Sequence, residues 1–132
     1  MTYLLDANVL VALGLLEHTL NGRVADWIKR ENYPTVATCS ITELGFVRVL
    51  SQASSYGLTV AQAQNLLLQL KQDGTLPFIF IPDNHDITRL PKWVTSSRQT
   101  SDGHLLELAS AHDAILATLD GGIPGAYLIP SS

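Results

Sequence analysis

Cysteine, positive charge and long apolar stretches are all scarce in this chain. A single cysteine, Cys39, among 132 residues excludes an internal disulfide framework and any zinc site built on several thiolates. Lysine and arginine number 8 against 12 aspartates and glutamates, a formal net charge of -4. That balance argues against a protein that grips nucleic acid by a broad basic face, because phosphate binding is chiefly a Lys/Arg effect. It leaves room for an enzyme that meets phosphate through a metal held by its acids. The longest apolar run, Val9 to Leu16, is broken by Gly14, whereas a membrane span needs about 20 such residues. The opening residues Met1 to Asp6 have no basic stretch and reach a carboxylate at once, unlike a secretory leader. The expectation is a soluble, cytoplasmic protein. Linkers, repeats and low-complexity runs are also missing, so residues 1–132 are read as one domain with one core.

What is present alternates between strand and helix patterns. Tyr3-Leu4-Leu5 is a short apolar strand ending at Asp6; Val9, Leu10 and Leu13, then Val24, Trp27 and Ile28, recur at helical spacing. Pro34 stops that pattern, and Thr35 to Cys39 reads as a second strand. Helices are expected from about Ile41 to Leu50 and from Val60 to Leu70, the second having no strand before it and forming an αα clip with the first. Phe78 to Ile81 is the third strand, and Asp83 to Thr100 is irregular. A helix from Asp102 to about His112, a fourth strand over Ile115 to Thr118, a turn at Asp120-Gly121-Gly122 and a short fifth strand over Ala126 to Ile129 complete the chain. Strands separated by helices imply right-handed crossovers and a parallel sheet with helices on both faces, an α/β architecture. Every strand-to-helix loop then emerges at the carboxyl edge, where ligands bind.

Four acids fall at that edge by topology alone. Asp6 follows the first strand, Glu43 lies one turn into the helix after the second, Asp102 opens the helix after the third, and Asp120 follows the fourth. Carboxylates gathered in a cleft repel one another unless a cation intervenes. An all-oxygen set suits Mg²⁺ or Mn²⁺, which can activate water and steady charge on a phosphodiester. Each acid also fits a structural role. Ser40-Ile41-Thr42-Glu43 has the spacing of a capping box, Asp102 suits a helix first turn, and Asp120-Gly121 is a turn dipeptide. Asp6 is harder to explain structurally, since a carboxylate at a buried strand end needs a partner. The metal reading rests on the set.

Other side chains carry less. Asp83 and Asp86 lie in a stretch of loop composition and read as solvated; Cys39 reads as a small core residue; His18, His85, His104 and His112 lack paired metal spacing, and His104 reads as a surface histidine. Arg48, Arg89, Lys92 and Arg98 are candidates to line a substrate path. Trp93 either stacks on a base or tucks onto the core.

The segments Tyr3 to Leu10, Cys39 to Ser51, Gln99 to Ala109 and Leu116 to Asp120, taken in order, resemble the PIN-domain family, and within it the VapC-type toxins of type II toxin–antitoxin pairs. The resemblance runs almost end to end. It implies a three-layer α/β/α fold with a central, mostly parallel sheet of about five strands, and a homodimer. It implies a Mg²⁺- or Mn²⁺-dependent endoribonuclease with one or two ions per site, held by Asp6, Glu43, Asp102 and Asp120, leaving 5′-phosphate and 3′-hydroxyl ends. It also implies RNA as substrate and a cognate antitoxin that inserts a segment into the active-site groove. Asn8, Ser40 and Thr118 are candidates to orient carboxylates or waters, and Arg48, Arg98 and Lys92 to touch substrate. The chain departs from the family pattern at Ser101, where threonine is frequent, at Gly103, where alanine is frequent, and at Gly121-Gly122, where a basic residue is common. Two rival readings are a catalytically silent PIN-like binding or scaffold module and a Mg²⁺-dependent phosphatase. The phosphatase would want a second acid two residues after its nucleophilic aspartate, where this chain has Asn8.

Overall fold

The computed structural model describes residues 1–131. Ten regular elements follow one another: β1 (Thr2–Leu5), α1 (Ala7–Gly14), α2 (Asn21–Arg30), β2 (Thr35–Thr38), α3 (Ser40–Gln52), α4 (Val60–Gln72), β3 (Phe78–Phe80), α5 (Thr100–Ala111), β4 (Ala114–Thr118) and β5 (Tyr127–Leu128). Two short 3-10 turns, Ile87–Arg89 and Ser97–Gln99, interrupt the connection from β3 to α5. Among the described residues no helix is long and apolar enough to cross a membrane.

The five strands form one sheet in the order β3-β2-β1-β4-β5, and every neighbouring pair is parallel. The alternation of side chains along β1 divides the core in two. Tyr3 and Leu5 point to the face covered by α1 to α4, where they join Val9, Leu10, Trp27, Phe46, Leu50 and Leu67. Leu4 points to the other face, where it meets Leu105 and Leu108 of α5, Leu116 and Cys39. Four helices on one face and one on the other give three layers, as the α/β reading requires. Each fully buried Leu on these faces contributes about 1.5–3 kcal/mol relative to exposure. Cys39 is buried in the second cluster, and Trp93 is packed against the same cluster, so the core reading of both residues holds. α4 packs on α3, which is the expected αα clip.

Strand order supplies something that element alternation alone does not. The chain runs outward from β1 through β2 to β3, then returns to the opposite side of β1 for β4 and β5. Direction therefore reverses between β1 and β4. Loops leaving these two strands diverge to opposite faces and open a crevice at their carboxyl ends. Asp6 directly follows β1, and Asp120 lies just beyond β4.

Two glycines set close approaches near this edge. A Cβ on Gly45 of α3 would stand 2.9 Å from the Ala7 Cβ of α1, so glycine lets α1 and α3 close together beside Asp6. A Cβ on Gly103 of α5 would collide with Val94 Cγ2 and lie 3.1 Å from Pro91 Cδ. The departure from alanine at this position thus has a packing cause: the loop before α5 lies directly against the helix.

Candidate active site

Asp6 terminates β1 and begins α1. Its backbone N–H continues the sheet ladder to the Ala117 carbonyl at 3.0 Å. Its side chain caps the helix, Oδ1 accepting from the Ala7 amide at 2.8 Å. The other oxygen, Oδ2, accepts from the Thr118 hydroxyl at 2.9 Å. Asp6 is 8% exposed, and each oxygen keeps a free lone pair. Burial raises its carboxyl above the ordinary range; the hydrogen bonds from Thr118 and Ala7 oppose this, and the charge of Asp120 adds to it.

Thr118, the last residue of β4, is fully buried and acts as a hub. Besides donating to Asp6, its oxygen accepts from the Asp120 amide at 3.0 Å and from Asn8 Nδ2 at 3.4 Å. Asn8 Oδ1 in turn accepts from the Leu119 amide at 3.3 Å. The residues expected to orient the site, Asn8 and Thr118, are thus tied to Asp6 and to the turn carrying Asp120. Asp120 itself is exposed and forms an Asx turn, accepting from the Gly122 amide at 2.9 Å. Asp102 is half-buried in the first turn of α5, where the helix dipole favours negative charge. Its carboxyl is nevertheless raised, first by burial and then by the charges of Asp6 and Asp120. The three aspartates therefore lie within electrostatic reach of one another, and none is ion-paired among the described residues.

Glu43 is in a different situation. The Ser40–Glu43 capping box does not form: the cap lies one residue earlier, with Thr42 Oγ1 accepting from the Cys39 amide at 3.0 Å. The physical reason is that Glu43 has stronger partners. Its Oε2 accepts from the buried Thr38 hydroxyl at 2.5 Å and from Lys71 Nζ at 2.6 Å. Ser40 is exposed and lines the same groove of about 400 Å³ as Glu43, Leu44, Leu68, Lys71 and Phe80. Thr38 and Lys71 were not singled out by sequence reasoning. Thr38 had a signal, because Ala37-Thr38 ends β2 as Ala117-Thr118 ends β4; Lys71 had none, being paired across 28 positions of sequence.

One further expectation is corrected. His104 is not a free surface histidine: its Nε2 lies 2.5 Å from Oδ2 of Asp83, which stays an exposed turn residue accepting from the His85 amide at 3.0 Å. Burial raises the Asp83 carboxyl, but hydrogen bonds from His104 and the His85 amide, with the charge of both histidines, outweigh it and hold the group below its usual range. The helix bearing Asp102 brings His104 onto the β3 loop. Asp86 does remain a turn residue, capping the first 3-10 turn through the Thr88 amide. Arg48, Lys92 and Arg98 are exposed on α3, on the loop against Gly103 and on the turn leading into α5.

Among the described residues no three His, Cys, Asp or Glu side chains already stand in an arrangement that would hold an ion. The donor chemistry of Asp6, Asp102 and Asp120 nonetheless fits a hard divalent cation. All donors are carboxylate oxygens, they repel one another, and among the described residues no basic side chain is paired with them. Asp102 is half-buried and Asp120 exposed, so neither side chain is locked by packing as Asp6 is.

Comparison with known proteins agrees over nearly the whole chain. A family model described as "PIN domain" matches residues 3–126. Ribonuclease VapC29 of Mycobacterium tuberculosis is 36% identical over 138 residues, covering 100% of this chain and 99% of that protein. Ribonuclease VapC44 of the same organism is 37% identical over 128 residues, covering 93% and 89%. Among solved structures, VapBC2 from Rickettsia felis, bound to a DNA fragment from their promoter, superposes with a TM-score of 0.61 at 17% identity over 97% of each chain. Mycobacterium tuberculosis VapC20, described as a Sarcin-Ricin loop cleaving toxin, superposes with a TM-score of 0.58 at 12% identity, covering 97% and 99%.

Proposed function

The chain belongs to the PIN-domain family, in its VapC-type branch, and on that premise we propose that it is a metal-dependent endoribonuclease acting as the toxin of a toxin–antitoxin pair. The observation that carries this reading is the set Asp6, Asp102 and Asp120, gathered where the strand order reverses and, among the described residues, left without a basic partner. The names of relatives similar over the full chain support ribonuclease activity, and a solved neighbour that is a VapBC assembly supports an antitoxin partner.

Asp6, Asp102 and Asp120 would hold the ion, Mg²⁺ or Mn²⁺. When bound there, such a cation supplies Lewis acidity toward water and toward a phosphodiester oxygen. Thr118 keeps the buried Asp6 carboxylate oriented through its hydroxyl, and Asn8 fixes Thr118 and the Leu119 amide, so the β4 turn holds Asp120 in place. The groove beside Glu43 lies at the same edge, and single-stranded or looped RNA is the substrate expected to enter it. Arg48, Lys92 and Arg98 are exposed for contact with backbone phosphates, offsetting the acids at the centre.

The test is incubation of purified protein with structured RNAs, with Mg²⁺, with Mn²⁺ and with excess chelator, beside Asp6→Asn. Cleavage in loops that requires the added ion and disappears in Asp6→Asn is the expected result. Cleavage that survives both chelator and substitution overturns the reading.

A further inference from the structure

Lys71 has no task in the mechanism above. It lies in the last turn of α4 and reaches across the groove to Glu43 of α3, Nζ to Oε2 2.6 Å. The same ammonium stands 5.7 Å from the centre of the Phe80 ring. The two side chains of the pair are only 24% and 27% exposed, so the contact is sheltered from the solvent that weakens surface ion pairs. Oε2 also receives the Thr38 hydroxyl at 2.5 Å. One oxygen of Glu43 is thereby engaged by a cation and a hydroxyl at once.

The two Thr–acid pairs at this edge make the consequence plain. Thr118 presents Asp6, which has no cation of its own; Thr38 presents Glu43, which has one tethered to the protein. An ion that took Glu43 as ligand would have to displace an ammonium at hydrogen-bond distance or sit beside it against charge repulsion. Breaking a sheltered pair also leaves the lysine without its partner. We infer that Lys71 is a resident cation that neutralises Glu43 and keeps it from ligating, so that the site takes one divalent ion on Asp6, Asp102 and Asp120 rather than two shared among four acids. Lys71 acts through Glu43 and is a positioning residue. The assignment rests on the metal-dependent reading of the site.

The experiment is calorimetric titration of the metal-free, full-length protein with Mn²⁺ alone, with circular dichroism to confirm that each variant is folded. Wild type is expected to bind one ion per chain, and Glu43→Gln to keep that stoichiometry with little change in affinity. Lys71→Met retains the apolar stem and removes the charge; it should admit a second ion or tighten binding by about tenfold. Lys71→Arg should restore wild-type behaviour. Two ions on wild type, loss of the ion in Glu43→Gln, or a folded Lys71→Met that titrates like wild type would each overturn the assignment while leaving a metal site in place. No Mn²⁺ binding by wild type would overturn the metal reading itself, and this assignment with it. Should Lys71→Met not fold, the Glu43→Gln titration decides alone.

Discussion

Asp6, Asp102 and Asp120 crowd the crevice between β1 and β4 without a paired base, whereas Glu43, one strand away on the same edge, is paired to Lys71. Both places use the same local device, a buried threonine at the end of a parallel strand donating to a carboxylate. They differ in burial, Asp6 being 8% exposed and the Glu43 side chain 27%, and in what faces the acid from the next layer. Over Glu43 that layer is α4, which carries Lys71; near Asp6 it is α5, which carries another acid, Asp102. One corner is charge-balanced by the chain itself, and the other has no basic side chain paired to it among the described residues. A shared row of acids in sequence is thus two electrostatic situations in space.

The comparison breaks most visibly if the unpaired corner is disabled. Asp6→Asn should lower RNA cleavage by on the order of 10³-fold, measured as single-turnover rates on one defined RNA, while the folded far-UV spectrum is retained. A smaller loss, within about tenfold, would mean that the crevice is not where the chemistry takes place. Thr118→Val comes next. It removes the hydroxyl that orients Asp6 and accepts from Asn8 and the Asp120 amide, and should weaken Mn²⁺ affinity by about 10–100-fold. Retained affinity would show that Asp6 needs no such support.

Gly103→Ala probes how tightly the α5 side is built. Its methyl group would run into Val94 and Pro91, so a loss of about 1–3 kcal/mol is expected in denaturant unfolding. A neutral or stabilising result would show that the 91–94 loop gives way freely. The smallest effect is on pH dependence. The Asp6 and Asp102 carboxyls are raised in the folded state, so protonation favours folding. Their contribution is fully present below the unfolded pKa and is lost as pH rises through the folded one. Metal-free wild type should therefore gain stability relative to Asp6→Asn as pH falls from neutrality toward the ordinary carboxylate range, and added Mn²⁺ should flatten that difference. Asp83 works in the opposite direction, its depressed carboxyl stabilising the fold above the usual aspartate range and losing that contribution as pH falls. It is common to both chains and cancels. A difference that ran the other way would mean that burial and neighbouring charge do not raise these carboxyls in the folded protein.

The α/β architecture and the edge address of four acids could be read in advance because both follow from local pattern. Apolar runs of strand length, helical spacing such as Val24, Trp27 and Ile28, and the position of each acid just past a strand need no knowledge of distant contacts. The partners of those acids were not readable in the same way. Glu43 matched a capping box by spacing, yet the cap formed at Cys39 and Thr42 while Glu43 turned to Thr38 and Lys71. His104 looked like a free surface residue until α5 met the loop after β3 and set it on Asp83. Gly103 looked like a weak helix start until Val94 lay against it.

Residue order alone placed the acids at one edge, because a parallel sheet with right-handed crossovers sends every strand end to the same side. Only packing decided which of them would lack a counter-charge. Hydrophobic burial chose how α4 lies on α3 and where α5 lies on the opposite face, and the polar side chains on those helices met whatever that burial brought within hydrogen-bond reach.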